Sequence, residues 1–164
     1  MPNTNYLIGG LLNAKIGEVN TTPDHAVGTR AEGNNGSEWM FVGPATAAIA
    51  QYNVVWINGT FVPANLTPTL VKTAGFVGFA QVAFATSDYG WVMLSGKPTV
   101  NCPVNTNGGV PLYTSDTAGF LDDATVSASQ MQIFGVVLTV SNGSTTAGTA
   151  IAAFPTVRGV NLVQ

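Results

Sequence analysis

From Ser37 onward, short apolar runs alternate with turn residues, a pattern that predicts strands. Glu38-Trp39-Met40-Phe41-Val42 reads as one strand, and Tyr52 to Ile57, rich in β-branched and aromatic residues, as another. The Ala-rich stretch between them, Ala45 to Gln51, reads as one helical turn or a loop. Asn58-Gly59 follows, and the apolar run resumes at Thr60-Phe61-Val62. Asn-Gly in that setting predicts a tight hairpin turn, because both central residues of a type I′ turn take positive φ. Further apolar segments are Leu70-Val71, Phe76 to Phe84, Trp91 to Leu94, Thr99 to Cys102, Val110 to Tyr113, Phe120-Leu121, Ile133 to Val140 and Thr149 to Phe154. Gly75 and Gly78 argue against helix in the longest of them, since each costs about 1 kcal/mol relative to Ala. A helix over Ala124 to Gln132 has weak support. The expected fold is mostly β: a small antiparallel barrel or sandwich with an extended N-terminal arm.

An internal echo runs through this pattern. Val54 to Ile57, Phe61-Val62 and Val77 to Val82 form a strand, a return strand and an apolar strand with an early glycine. Val110 to Tyr113, Phe120-Leu121 and Phe134 to Val140 repeat that order. Two such units closing on each other would remove exposed sheet edges.

Residues 1–33 differ from residues 34–164. Gly9-Gly10, Gly17, Pro23 and Gly28 interrupt every local element, so the segment predicts an extended arm. Ordering it costs about 1–2 kcal/mol of backbone entropy per residue. Its apolar residues Tyr6, Leu7, Ile8, Leu11, Leu12 and Ile16 are each worth roughly 1.5–3 kcal/mol if fully buried. They are therefore candidate contacts with a neighbouring subunit or a host surface, unless the arm packs on its own domain. Trp39, Trp56 and Trp91, on predicted strands, are candidate core residues.

Composition narrows the function. Hydrophobic residues make up 46% of the 164 residues and charged residues only 8%. A typical soluble domain is about 25% charged. The polar surface must then come from Asn, Thr, Ser and Gln, which suits a protein that covers much of its surface with partners. The five basic residues are scattered and the net charge is −3, which excludes nucleic acid as the main partner. No run is long and apolar enough to cross a bilayer, and the first residues lack the basic region of a signal peptide, so use without ordinary secretion is expected. The single cysteine, Cys102, excludes an intrachain disulfide.

Candidate chemistry is sparse. His25, the only histidine, stands beside Asp24 as half of a base–orienter pair, but in the arm. Cys102 reads as a small core residue. Asp122-Asp123, with Asp116 nearby, could offer oxygen ligands to a weak cation only from a loop, because neighbours on a strand point to opposite faces. A solvated turn is the plainer reading. GxSxG, HExxH and GxGxxG are all missing from the sequence. The expectation is a non-enzyme with no cofactor and no metal.

Over about residues 28–140 the chain resembles a known family. The residues that carry this are Gly36-Ser37-Glu38-Trp39-Met40-Phe41-Val42, Gln51-Tyr52-Asn53-Val54-Val55, Gly78-Phe79-Ala80-Gln81-Val82-Ala83-Phe84, Asp88-Tyr89-Gly90-Trp91-Val92, Leu112-Tyr113-Thr114-Ser115 and Thr117-Ala118-Gly119-Phe120-Leu121-Asp122-Asp123. Their succession resembles capsid decoration (cement) proteins of tailed bacteriophages. The resemblance implies a β-rich capsid-binding domain over 34–164, seated on the outer surface of a virion assembled in the host cytoplasm. It implies contact with the major capsid protein, and a homo-oligomer, often a trimer. The alternative is a carbohydrate-binding head-fibre or tail module, in which Trp39, Trp56 and Trp91 would share an exposed groove.

Overall fold

The computed structural model describes residues 7–8, 15–33, 35–124, 129–143 and 146–157, with only the strand pairing described for residues 7–8. The strands are β1 (Leu7–Ile8), β2 (Val19–Asn20), β3 (Arg30–Gly33), β4 (Glu38–Val42), β5 (Val54–Asn58), β6 (Pro63–Asn65), β7 (Gly75–Phe79), β8 (Tyr89–Gly96), β9 (Thr99–Asn101), β10 (Leu112–Thr114), β11 (Leu121–Asp122), β12 (Gln132–Leu138) and β13 (Ala147–Val157). A single 3-10 turn, Leu70–Lys72, is the helical element among the described residues. Ala45 to Gln51 is a loop, and the described part of Ala124 to Gln132 is not helical. The fold is mostly β, and the sheet is antiparallel and curled in the manner of a barrel or sandwich.

β8 is the hub. One of its edges carries β4 from Glu38↔Ser95 to Val42↔Gly90. The other edge is shared in turn by β2 at Gly90, β7 at Met93 and β13 at Ser95 and Gly96. The sheet therefore divides there into two wings built alike. In the first, β5 sits between β6 and β7, β7 leads into β8, and β4 pairs β8. In the second, β10 sits between β11 and β12, β12 pairs β13, and β9 pairs β13. The order of pairing is the same in 38–96 and 99–157. The echo of short apolar runs in the sequence corresponds to this repeated five-stranded unit.

The two wings share one apolar core. Trp39, Phe41, Val54, Trp56, Val77, Phe79, Trp91 and Met93 meet Val100, Cys102, Leu112, Leu121, Ile133, Val136, Leu138, Ala150 and Ala152. The alternating residues of the first unit form a second buried cluster of Met40, Val42, Val55, Ile57, Val92 and Leu94. Strands buried on both faces read as nearly continuous apolar runs, which is how Glu38–Val42 and Val54–Ile57 look in the sequence. The cover on that second face comes from the linkers: Ala45 and Ile49 before β5, and Phe84 after β7. Ile49 and Phe84 bond each other through both N–H···O=C contacts, each 2.9 Å.

In residues 15–33 the short strands β2 and β3 are separated by turns and bends, and the segment lies on this domain. Val19↔Gly90 and Arg30↔Met40 tie them into the sheet, and Leu7↔Gly33 adds β1 to the edge of β3. Ile16, expected among intersubunit contacts, is instead a core residue with 4% exposure. The physical reason is that the face of β4 and β8 bearing Phe41 and Trp91 would otherwise stay wet, and this segment covers it. Tyr6, Leu11 and Leu12 lie outside the described residues.

The turn after β5 also differs from the expectation. Gly59 does not take positive φ; Phe61 does, at 63°. Asn58 and Val62 close a three-residue loop, with Asn58 N–H to the Val62 carbonyl at 3.2 Å and Phe61 N–H to the Asn58 carbonyl at 3.0 Å. The Asn58 side chain caps the loop from inside, as Oδ1 accepts from the Thr60 and Val62 N–H groups at 2.9 and 3.0 Å. That cap favours a type I turn followed by a left-handed residue over the two-residue turn.

Candidate functional site

The three tryptophans lie inside, with Trp39, Trp56 and Trp91 at 0%, 6% and 1% exposure. Two of the ring nitrogens have side-chain partners: Trp39 donates to Ser37 Oγ at 2.7 Å and Trp56 to Thr73 Oγ1 at 3.1 Å. The tryptophans do not share an exposed groove; Trp56 alone of the three borders the groove described below. His25 lies against two rings of the same core, 5.4 Å between centroids from both Phe41 and Trp91. Its neighbour Asp24 accepts instead from the Asn20 amide at 2.9 Å. The half-pair read from the sequence is therefore split between an aromatic contact and a surface bond.

Cys102 is fully buried, and burial pushes its thiol above the ordinary range, with the Asn142 amide bond at 3.3 Å acting the other way. A thiol held protonated is a poor nucleophile. Asp122 and Asp123 behave oppositely. Burial raises the Asp122 carboxyl, helped by the adjacent Asp123 charge. Burial also works against ionised Asp123, but the backbone and side-chain N–H groups of Asn107 outweigh it and hold that carboxyl low. Asp116 is exposed on the preceding loop. Among the described residues no three His, Cys, Asp or Glu side chains gather closely enough to hold a metal ion.

The amide-rich composition has an interior use. Asn53 is buried between the wings; its Nδ2 donates to Asn65 Oδ1 and its Oδ1 accepts from Asn101 Nδ2, both at 2.8 Å. Gln81 clamps the start of β9, donating to the Thr99 carbonyl at 2.9 Å and accepting from its N–H at 3.0 Å. The Asn53–Asn101 and Gln81–Thr99 bonds join the first unit to the first strand of the second, while Asn53–Asn65 lies within the first unit. Asn53 is buried, and a buried amide is costly unless paired, so these bonds favour one placement of the wings. Sequence reading had assigned these amides to the surface; no local signal distinguishes a seam amide from a solvated one.

Several large apolar side chains of the described residues are exposed. Phe134, Val137, Ile151 and Phe154 on β12 and β13 are 38%, 38%, 49% and 47% exposed, and Phe76 at the start of β7 is 42% exposed. The sequence has no charged residue from Ala124 to Val157. Val137 and Ile151 are directly paired across the strands. Gly135, at φ 80°, breaks the ladder between Phe134 and Val136, and Phe154 opposite takes φ 46°. Each extra residue resets the alternation, so Phe134 and Val137 face outward together. A left-handed φ is uncommon for a phenylalanine, and such outliers are held only by surrounding structure. Beside this face lies a groove of about 980 Å³, with Phe76 and Phe154 in its walls and Arg30 and Lys72 among its lining residues. The Arg30 guanidinium sits 5.9 Å from the Phe76 ring centroid. Sequence reading missed this surface, because the nearly continuous apolar runs of β12 and β13 read like strands covered on both faces.

The described residues therefore offer an uncharged apolar sheet face, three exposed phenylalanines and a groove with two cations. No family model matches the chain, and no curated protein matches it.

Proposed function

We propose that this protein is a structural component of a virion: it binds the outer surface of an assembled phage capsid, contacts the major capsid protein and stabilises its lattice. It acts there as a homo-oligomer, a trimer on a three-fold or quasi-three-fold axis, where symmetry repeats one modest contact and multiplies its strength. The observation that carries the reading is the exposed apolar surface around Phe76 and Phe154, on a domain whose histidine and cysteine are committed to packing. Contiguous apolar surface of this sort marks interaction sites. The groove suits an extended apolar segment of a shell protein, with Arg30 and Lys72 meeting an acidic side chain. The resemblance to decoration proteins points the same way. The carbohydrate-binding alternative needs tryptophans free to stack on sugars, and all three are buried.

The test compares particles with and without the protein under heating or pressure. Bound protein is expected to raise the rupture threshold, and Phe76→Ser to lower occupancy on the shell. Equal thresholds, with no protein on the shell, would contradict the reading.

A further inference from the structure

We infer that the groove between β7 and β13 takes an extended peptide strand of a second polypeptide, one that carries a carboxylate side chain and pairs with the open edge of β7. The inference deepens the groove contact in the proposed function, and rests on that reading only for placing the peptide in a shell protein.

The sheet itself makes the opening. β8 pairs β7 at Phe79↔Met93 and then β13 at Ala153↔Ser95. No strand among the described residues therefore pairs with Gly75 to Val77 on the edge away from β5. The direction of the backbone groups follows from the ladder. Ala80 N–H donates to the Asn53 carbonyl at 3.0 Å, on the β5 side. Antiparallel alternation then turns Phe76 and Gly78 to β5, and Gly75 and Val77 to the groove. The opposite wall cannot pair in the same way, because Pro155 has no N–H and Phe154 takes φ 46°. An extended chain brings its own N–H and C=O groups to such an edge, which a purely apolar molecule cannot do.

Charge selects the side chain. Arg30 and Lys72 line the groove, and the Arg30 guanidinium rests 5.9 Å from the Phe76 ring centroid. All eight acidic residues of the sequence fall among the described residues, and the only ion pair there is Lys15–Glu18. No acidic side chain of this chain answers Arg30 or Lys72, so the matching carboxylate comes from another molecule. Two like charges on an apolar cleft focus a positive potential that draws and orients an acidic segment. The faces fit as well. Trp56, Val71 and Val77 belong to the shared core, whereas Arg30 lies opposite Met40 of the second cluster. Successive side chains of a strand point to opposite faces, so an incoming strand sets apolar residues against Trp56 and Val71 and its acid towards Arg30.

The probe is a fluorescein-labelled peptide, Thr-Val-Glu-Val-Thr, titrated onto the full chain and read by fluorescence anisotropy. It is expected to bind roughly tenfold more tightly than the same peptide with glutamine in place of glutamate. That preference should vanish in the double variant Arg30→Gln with Lys72→Gln, whose exposed positions spare the fold, as far-UV circular dichroism checks. N-methylation of the peptide amides should abolish binding, and amide exchange at Gly75 and Val77 should slow on saturation. Absence of binding, equal affinity for the two peptides, or binding that survives N-methylation would each overturn the inference. Sodium laurate that binds the groove as tightly as the peptide would assign it to a lipid-like anion and overturn it too. So would Gly75 and Val77 amides already fully protected without peptide, since this chain would then fill the edge itself. Peptide binding by a protein that never decorates capsids would leave the inference standing and remove the functional reading. Capsids decorated by a protein that ignores the peptide would do the reverse.

Discussion

At the scale of single residues, the strongest commitments are the aromatic ones. Trp39 is fully buried in the shared core and bonds Ser37, so truncation removes both its volume and a satisfied polar contact. Trp39→Ala should cost about 3–5 kcal/mol. For a chain of this size each kcal/mol lowers Tm by about 2–4 °C, which a melting curve reads directly. Asp122 and Asp123 give a prediction with opposite signs. The Asp122 carboxyl is raised in the fold, so its ionised form costs stability above the usual carboxylate range, and that cost vanishes in acid. The Asp123 carboxyl is lowered, so its contribution is present above the unfolded value and lost as pH falls through the folded one. Asp122→Asn should therefore raise Tm at pH 7 and Asp123→Asn should lower it. The Asp122→Asn gain should disappear near pH 3, while the Asp123→Asn loss should fade only at lower pH. Equal shifts of the same sign at pH 7 would show that the pair shares its environment. The tryptophans were readable as core residues because each belongs to an apolar run. The seam amides Asn53, Gln81 and Asn101 were not, because their partners lie far along the chain.

At the scale of elements, strands buried on both faces were the easiest to read. Glu38–Val42 matches its apolar run residue for residue, whereas the turn after β5 was misjudged. Asn-Gly is a strong local signal, but the Asn58 side chain used its acceptor to hold Thr60 and Val62 and moved the left-handed residue to Phe61. The β12–β13 bulge depends on Gly135 in the same way. A Cβ there would meet the Ala153 carbonyl at 2.9 Å, and φ is 80°. Gly135→Ala should therefore lower Tm and weaken hydrogen-exchange protection along β12 and β13, leaving β4 and β8 less affected. Uniform loss of protection across all strands would show that the bulge is not a local device. The arm is the other element where local reading stopped short. Its glycines and proline interrupt regular structure, and nothing local says which surface the segment covers. Ile16 lies in the core, so Ile16→Ala should cost about 2–5 kcal/mol. A neutral result in a melting experiment would return the segment to the role of a detached arm.

At the scale of the whole molecule, two similarly paired five-stranded units join at β8 and β13 and share one core. Among the described residues they differ in what covers their outward faces: Ile49 and Phe84 cover the first, while Phe134, Val137 and Ile151 of the second are exposed. The repeat was faintly legible as an echo of apolar runs; the asymmetry was not, since it depends on where the linkers lie. Low charge, a closed aromatic core and an apolar face left exposed by the described residues support the proposal that assembly completes the molecule. The central claim is that this assembly takes place on a phage capsid. The most direct measurement is a cryo-EM map of capsids incubated with the purified full-length protein, compared with capsids alone. The account predicts added density at saturable, symmetry-related positions on the outer surface, with the end carrying Phe76 and Phe154 turned to the shell. Maps that are identical with and without saturating protein would contradict it.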